Sequence, residues 1–452
     1  MESVQDVAVN QPKAATLVRK LGLIDSMALI IGVIIGSGIF LVPGSVARQL
    51  DSLLAVIAVW IAGGILSIFG GLALAELGAS LPTAGGLYVY IERAYGRFAG
   101  FIYGWMGLSI INTGSVATMA VGVGSYIAPI AHFTKLEQKL FQIAVIAFFT
   151  LINCLGVTLG KWVQNVLSFT KLGGLALMIV FLLAHGSLSN VTAHLWPSST
   201  SLHLAPFGIA LIGVLWAFDG WHVISFAAGE VKNPTRNIPG SLILGTLSCV
   251  IVYVLANLAY YSVLDRAAIK ASDRVAAVAV YTAMGTGAAT VLTVLIAISI
   301  LGAINGSTFS TPRATMAMAN DGLFFRSFGR ISPRYHTPII ALIAHGIWGA
   351  ALTLMGTFQE LFTAVIFTAW IFYGLAVLGV IVLRVKEPKL ERPYRCPLYP
   401  IPPILFVLAT LWIVLNTLFT DPKHALSGLA LIAAGVPLYL LFRVTNKKSV
   451  RV

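Results

Sequence analysis

Charge is what this sequence has least of. Only 10% of its 452 residues are Asp, Glu, Lys or Arg, against about 25% in soluble globular domains. No stretch is long and polar enough to form an appended soluble domain, which argues against a membrane sensor. Cysteine is scarce as well. Cys154, Cys249 and Cys396 are too few and too separated for a metal cluster or a disulfide framework, and two of them lie in apolar runs, where a small buried hydrophobe is the plain reading. The histidines His185, His194 and His203 stand nine residues apart without carboxylate company, which is not the spacing of a catalytic or metal-ligating cluster. No enzyme activity, cofactor or metal is therefore expected.

What the chain has in abundance is apolar surface: 58% of the residues are hydrophobic and the mean hydropathy is +0.91. Apolar runs of roughly 20 residues, enough to cross about 30 Å of hydrocarbon, recur from Ile24 to Phe442. They predict an all-α polytopic membrane protein with twelve spans, near 24–50, 53–79, 99–128, 139–159, 162–185, 206–229, 240–263, 286–312, 337–356, 358–383, 402–420 and 426–442. Residues 1–23 then form a cytoplasmic segment, 24–443 one membrane domain and 444–452 a cytoplasmic tail. Residues 1–20 are polar and the first run is too long for the core of a cleavable leader, so the first helix is expected to act as its own signal.

A net charge of +13 invites a nucleic-acid reading, but the basic residues sit at the ends of apolar runs rather than on one polar face. With the N-terminus inside, 21 Lys and Arg fall on cytoplasmic segments and 7 on outer ones, so both termini are expected in the cytoplasm. The partners implied are a lipid bilayer and a small molecule, not nucleic acid.

Two spans are interrupted in a related way, the first by GSGIF at 36–40 and the sixth by WAFDGW at 216–221, and each is the first helix of a five-helix set. Broken helices at membrane depth are tolerated where their backbone lines a cavity or is buried in protein. Paired breaks in corresponding helices point to a transporter binding site at an inverted-repeat interface. The amides of Ser37, Gly38 and Ile39 begin a new half-helix whose positive end suits a carboxylate, and Gly36 and Gly38 let a ligand approach the backbone. Carbonyls freed near Ile34, Ile35, Trp216, Ala217 and Asp219 offer acceptors for an ammonium. Together they read as a site for a zwitterionic α-amino acid.

Four side chains stand out. Trp216 is the expected occluding residue, while Phe218 and Trp221 read equally well as packing. Asp219, an acid at mid-membrane, is expected to line the cavity or to be tied to neighbouring backbone. Lys171 lies ten residues past Lys161, about 15 Å along the helix and too deep to reach an interface easily. Its expected partners are carbonyls near Gly32 and Ser299, which would put a fixed amine where sodium-coupled carriers of this architecture hold a cation. Glu76 reads either as a charge-network or gating residue or as a solvated carboxylate near the inner face. The loops LPTAGGLYVYIERAYG at 81–96 and GEVKNPTRNIPG at 229–240 read as tight cytoplasmic turns or gate elements.

These residues together resemble the amino acid–polyamine–organocation superfamily and, within it, the L-type amino acid transporter family. GSGIF, LPTAGGLYVYIERAYG, LWAFDGW followed by AGEVKNPTRNIPG, and ISILGAINGS match in order over nearly the whole chain. The resemblance implies two inverted five-helix repeats, about 24–185 and 206–383, plus two further helices at about 402–442, working by alternating access. It implies that Ile34, Gly36, Ser37, Gly38, Trp216 and Asp219 contact the substrate's amino and carboxyl groups. It also maps the family's fifth-helix lysine onto Lys171, a seventh-helix tyrosine near the site onto Tyr253 and an eighth-helix hydroxyl onto Ser299. Two features depart from the family pattern. His222 stands where relatives commonly have Asn, and the outer loop at about 129–138 lacks the cysteine through which animal members bind a single-span glycoprotein. The chain thus resembles the stand-alone prokaryotic type, with no heavy-chain disulfide partner expected and the inner cell membrane as its location. The expectation is sodium-independent exchange or facilitated transport of neutral L-amino acids. The rival is proton-coupled symport, extending to cationic amino acids or polyamines, and a channel is the alternative from another class.

Overall fold

The computed structural model describes residues 16–196, 204–355 and 358–448. The expected N-terminal segment up to residue 15, His203 and residues 449–452 of the tail lie outside the described residues. Thirteen principal helices carry the fold. They are α1 (Leu23–Ile34), α2 (Gly38–Gln49), α3 (Leu53–Ser80), α4 (Arg97–Ala131), α5 (Lys135–Cys154), α6 (Val157–His185) and α7 (Leu204–Ala217). There follow α8 (Pro234–Val263), α9 (Val275–Ser310), α10 (Ile339–Met355), α11 (Phe358–Lys386), α12 (Ile401–Thr420) and α13 (Pro422–Lys448).

Local chemistry sets several of the ends. Ser52 caps α3 by accepting the Ala55 amide at 3.2 Å. Thr134 and Glu137 form a reciprocal capping box at α5, with bonds of 3.3 and 2.7 Å. Gly156, at φ +126°, lets the chain turn between α5 and α6. The α5–α6 boundary therefore falls at 155–156 rather than at 160–161. Further along, α9 starts at Val275, eleven residues earlier than the predicted span, because Gly285 at φ +80° bends the helix without ending it.

Among the described residues nine helices are long and apolar enough to cross a membrane, and α1 with α2, bent by 47° at their break, make a tenth. Length and composition thus fall short of the twelve predicted spans. The shortfall has two sources. The sixth apolar stretch is cut at Ala217, leaving Pro206–Ala217 as its apolar helix, and α10 has only 17 residues, just under the roughly 20 a straight span needs.

Helices of the two sets pack in matching pairs, α3 along α8 and α4 along α9. α1 lies in the middle, against α6, α8 and α9, with Ile30, Ile31 and Ile34 buried. The periphery has the opposite character. α6 exposes Leu177, Val180 and Phe181, and α12 exposes Leu408 and Leu411. A helix bundle whose outer surface is apolar is solvated by lipid. Burial therefore falls outward, and the buried side chains of Gln164, Ser168 and Lys171 on α6 meet carbonyls of α1.

Candidate functional site

At the first break, Ile35 (φ −78°, ψ 81°) takes the chain out of α1, and its amide still reaches Ile31. Ser37 stands at the N-cap of α2 without a side-chain cap bond, so the amides of Ser37, Gly38 and Ile39 have no partner within that helix. The carbonyls left by α1 are bound by side chains from three other helices. Lys171 Nζ donates to Gly32 O at 2.8 Å, Ile35 O at 2.7 Å and Ser299 O at 2.6 Å. Ser299 Oγ reaches Ile35 O and Gly36 O at 2.8 and 3.1 Å. Lys171 is completely buried, and three carbonyl dipoles take the place of water around its ammonium.

The sixth helix breaks differently. α7 ends at Ala217, Gly220 takes φ +107°, and the chain resumes as a 3₁₀ helix, Val223–Glu230. The turn closes on itself, with Asp219 N bonding Trp216 O and Val223 N bonding Gly220 O. A Cβ at Gly220 would lie 3.2 Å from the Ile34 amide nitrogen. One at Gly38 would lie 2.7 Å from the Ala217 Cβ and 2.8 Å from its Cα. Glycine at these two positions is what lets the broken backbones touch. Tyr253 fastens them, its hydroxyl lying 2.9 Å from both Ile34 O and Ala217 O.

Between the breaks lies a cavity of about 100 Å³, partly open to solvent. Ile34, Gly36, Ser37, Gly38, Trp216, Ala217 and Asp219 line it. Gly32, Ile39, Lys171, Tyr253 and Ser299 do not. The last three stand behind the first break and hold its carbonyls, so Tyr253 meets backbone rather than the cavity. The freed acceptors are also fewer than the sequence suggested. Ile34, Ile35, Trp216 and Ala217 each already accept a bond within the protein. Phe218 packs between Trp60 and Tyr253, and Trp221 against Phe406 and Tyr373.

Glu76 lies away from the cavity and is not solvated. It is 1% exposed and accepts from Arg384 at 2.9 and 2.6 Å and from the Cys396 amide at 2.7 Å, with Arg392 at 3.3 Å. The network binds α3 to α11 and to the segment after it.

Several lining residues come from helices the sequence reading did not single out. α4 supplies Asn112, Ser115 and Thr118, α9 supplies Ser307, and α11 supplies Tyr373, whose hydroxyl donates to Asp219 Oδ1 at 3.0 Å. The spacing of 112, 115 and 118, polar residues on one face of an apolar helix, was the available signal. A buried ion pair was also missed. Glu230 and Arg313, at 0% and 1% side-chain exposure, meet at 2.7 Å at the end of the 3₁₀ helix. Arg313 follows an apolar run directly and reads from sequence as an interfacial charge.

Broken helices facing each other across a central cavity, inside a bundle with an apolar exterior, define a multi-pass membrane carrier. The comparisons give its family. The model described as amino acid permease matches residues 21–442. The chain is 32% identical to the human b(0,+)-type amino acid transporter 1 over 98% of its own length and 91% of the relative. It is likewise 32% identical to the serine/threonine exchanger SteT of Bacillus subtilis, over 94% and 96% of the two chains. The human cystine/glutamate transporter is similar at 31%, over 96% and 87%. The chain belongs to the amino acid permease family of the amino acid–polyamine–organocation superfamily, related to both animal and bacterial members, and is a secondary transporter of amino acids rather than an enzyme.

Proposed function

We propose that this protein carries neutral L-amino acids without sodium, by exchange or facilitated diffusion through alternating access. The observation that carries the reading is the Lys171 ammonium seated on Gly32 O, Ile35 O and Ser299 O. In carriers of this architecture, carbonyls of unwound helices hold the coupling cation; here a fixed amine takes them. The substrate carboxylate goes to the first-turn amides at Ser37–Ile39, favoured by the α2 dipole. The substrate ammonium goes to the sixth break beside Asp219, and Trp216 closes the cavity over it. Lys171, Ser299 and Gly32 couple transport to the shape of the first break, and Tyr253 and Glu76 act from outside the cavity.

The same reading takes the chain as twelve spans. One membrane domain, 24–443, comprises two inverted repeats, about 24–185 and 206–383, and two added helices at about 402–442. The packing of α3 on α8 and α4 on α9 supports it. Both termini face the cytoplasm of a prokaryote, and the chain works without a disulfide-linked glycoprotein, its three cysteines being free and buried.

Counterflow in proteoliposomes tests this. Labelled neutral amino acid should enter faster when unlabelled substrate is inside, unchanged when sodium is replaced. A strict need for a sodium gradient would refute the coupling argument. One observation favours proton-coupled symport of cationic substrates instead: Asp219 places a carboxylate on the cavity wall, where it accepts from the Tyr373 hydroxyl. Uptake that collapses without a pH gradient and gains nothing from internal substrate would establish that rival.

A further inference from the structure

Two polar groups in the cavity have no task in the backbone-binding scheme above. Asn112 of α4 and His222, just past the Gly220 turn, both line it and are only 5% and 6% exposed. Asn112 Nδ2 and His222 Nδ1 are buried without a hydrogen-bond partner. Four of the polar side chains lining the same cavity are already engaged. Ser115 donates to Ile111 O, Thr118 to Gly114 O, Thr311 to Ser307 O and Tyr373 to Asp219. Among the described residues, no group forms a hydrogen bond with either atom.

The backbone supports a deliberate placement of both. Asn112 follows a π-turn, Gly107–Ile111, and its amide bonds Gly107 O five residues back. Such turns insert one residue into an α-helix, re-aim the side chains that follow, and concentrate at functional sites. The His222 ring is held among Tyr373, Trp221 and Phe226, with centroids 4.5, 5.4 and 5.7 Å away, so it has little freedom to find a partner elsewhere.

We infer that Asn112 and His222 read the substrate side chain and select one that is polar and uncharged, bearing a hydroxyl or a carboxamide. This rests on the proposal that the amino acid backbone lies at the two breaks. An aliphatic side chain would leave both buried atoms unpaired, which costs binding. A hydroxyl or carboxamide donates to the imidazole and accepts from the Asn112 amide. An acidic side chain would meet the Asp219 carboxylate in the same cavity.

Threonine and valine differ by little more than one hydroxyl, which makes them the test pair. Inhibition of labelled alanine uptake into proteoliposomes should show threonine outcompeting valine by about tenfold or more, the loss expected when a site built for a hydroxyl meets its aliphatic analogue. Asn112→Leu and His222→Phe should each move the threonine-to-valine ratio toward one. Thermal stabilisation of the purified variants by the same two amino acids supplies the ratio where a variant no longer transports. Equal competition by the two in the wild type, or a wild-type ratio in both variants, would overturn the inference. Uptake without discrimination rejects this selectivity alone, whereas neither uptake nor stabilisation by any amino acid rejects the transport reading and the selectivity together.

Discussion

The two breaks solve one problem, what to do with backbone that has left its helix, in opposite ways. At the first, the carbonyls of Gly32, Ile34, Ile35 and Gly36 are met by donors from α6, α8 and α9, namely Lys171, Tyr253 and Ser299. At the sixth, the turn closes mainly through its own amides and depends on Gly220, while its side chains Trp216, Asp219 and His222 face the cavity. One break is wired into the bundle from behind, and the other is free to present chemistry. A carrier that must re-form around a substrate gains from this division, because one wall keeps its shape while the other is specialised.

The largest effect should follow cutting the wiring. Lys171→Ala leaves buried carbonyls short of a donor, at about 1–3 kcal/mol each; initial uptake should fall by roughly a hundredfold in protein that still inserts. Wild-type uptake by that variant would mean the ammonium plays no part. Next come two glycines of the same loop that separate contact from cavity. In Gly38→Val the new side chain runs into Ala217, so uptake should fall by roughly thirtyfold and the melting temperature drop together. In Gly36→Ala the methyl meets nothing closer than 3.9 Å. That protein should melt like wild type yet bind substrate about tenfold more weakly, the size of effect a small steric change in a fitted pocket produces. Equal behaviour of the two variants would remove the distinction.

The first break was open to reading because it is written in residue types. Glycines flanking a serine in an apolar run mark an interruption, and a lysine ten residues from the nearest charge on its own helix must be answered by something nearby. For the wiring partner Tyr253 the sequence gives only nearness to the site, which does not tell front from back. That distinction depends on which way α8 turns its face, a matter of packing. The polar face of α4 was overlooked for a related reason. The spacing of Asn112, Ser115 and Thr118 marks a polar stripe, but the π-turn at Gly107–Ile111 helps decide where that stripe faces, and no residue type announces such a turn. Glu230 and Arg313 escaped notice because pairing across 83 residues is a tertiary fact. Span counting succeeded where helices are long and uniform, and blurred at the sixth stretch and α10, where function or length breaks the pattern.

Smaller effects refine the contrast. Tyr253→Phe removes the hydroxyl shared by Ile34 O and Ala217 O, costing about 1–2 kcal/mol. Ile34 O keeps the Gly36 amide, so uptake should slow several-fold rather than stop, and a complete block would make Tyr253 part of the binding surface after all. Glu76→Gln should change apparent affinity least, by under about twofold, while lowering thermal stability, because it weakens a largely buried ion network remote from the cavity. A large affinity change there would tie that network to the site.

The most direct measurement is an experimental density map of the protein with a bound amino acid. The α-carboxylate should lie within hydrogen-bond distance of the Ser37–Ile39 amides, with the α-amino group toward the Asp219 turn and Lys171 still on its three carbonyls. Density for the amino acid elsewhere, or residues 30–45 and 210–225 as uninterrupted helices with no chamber between them, would contradict it.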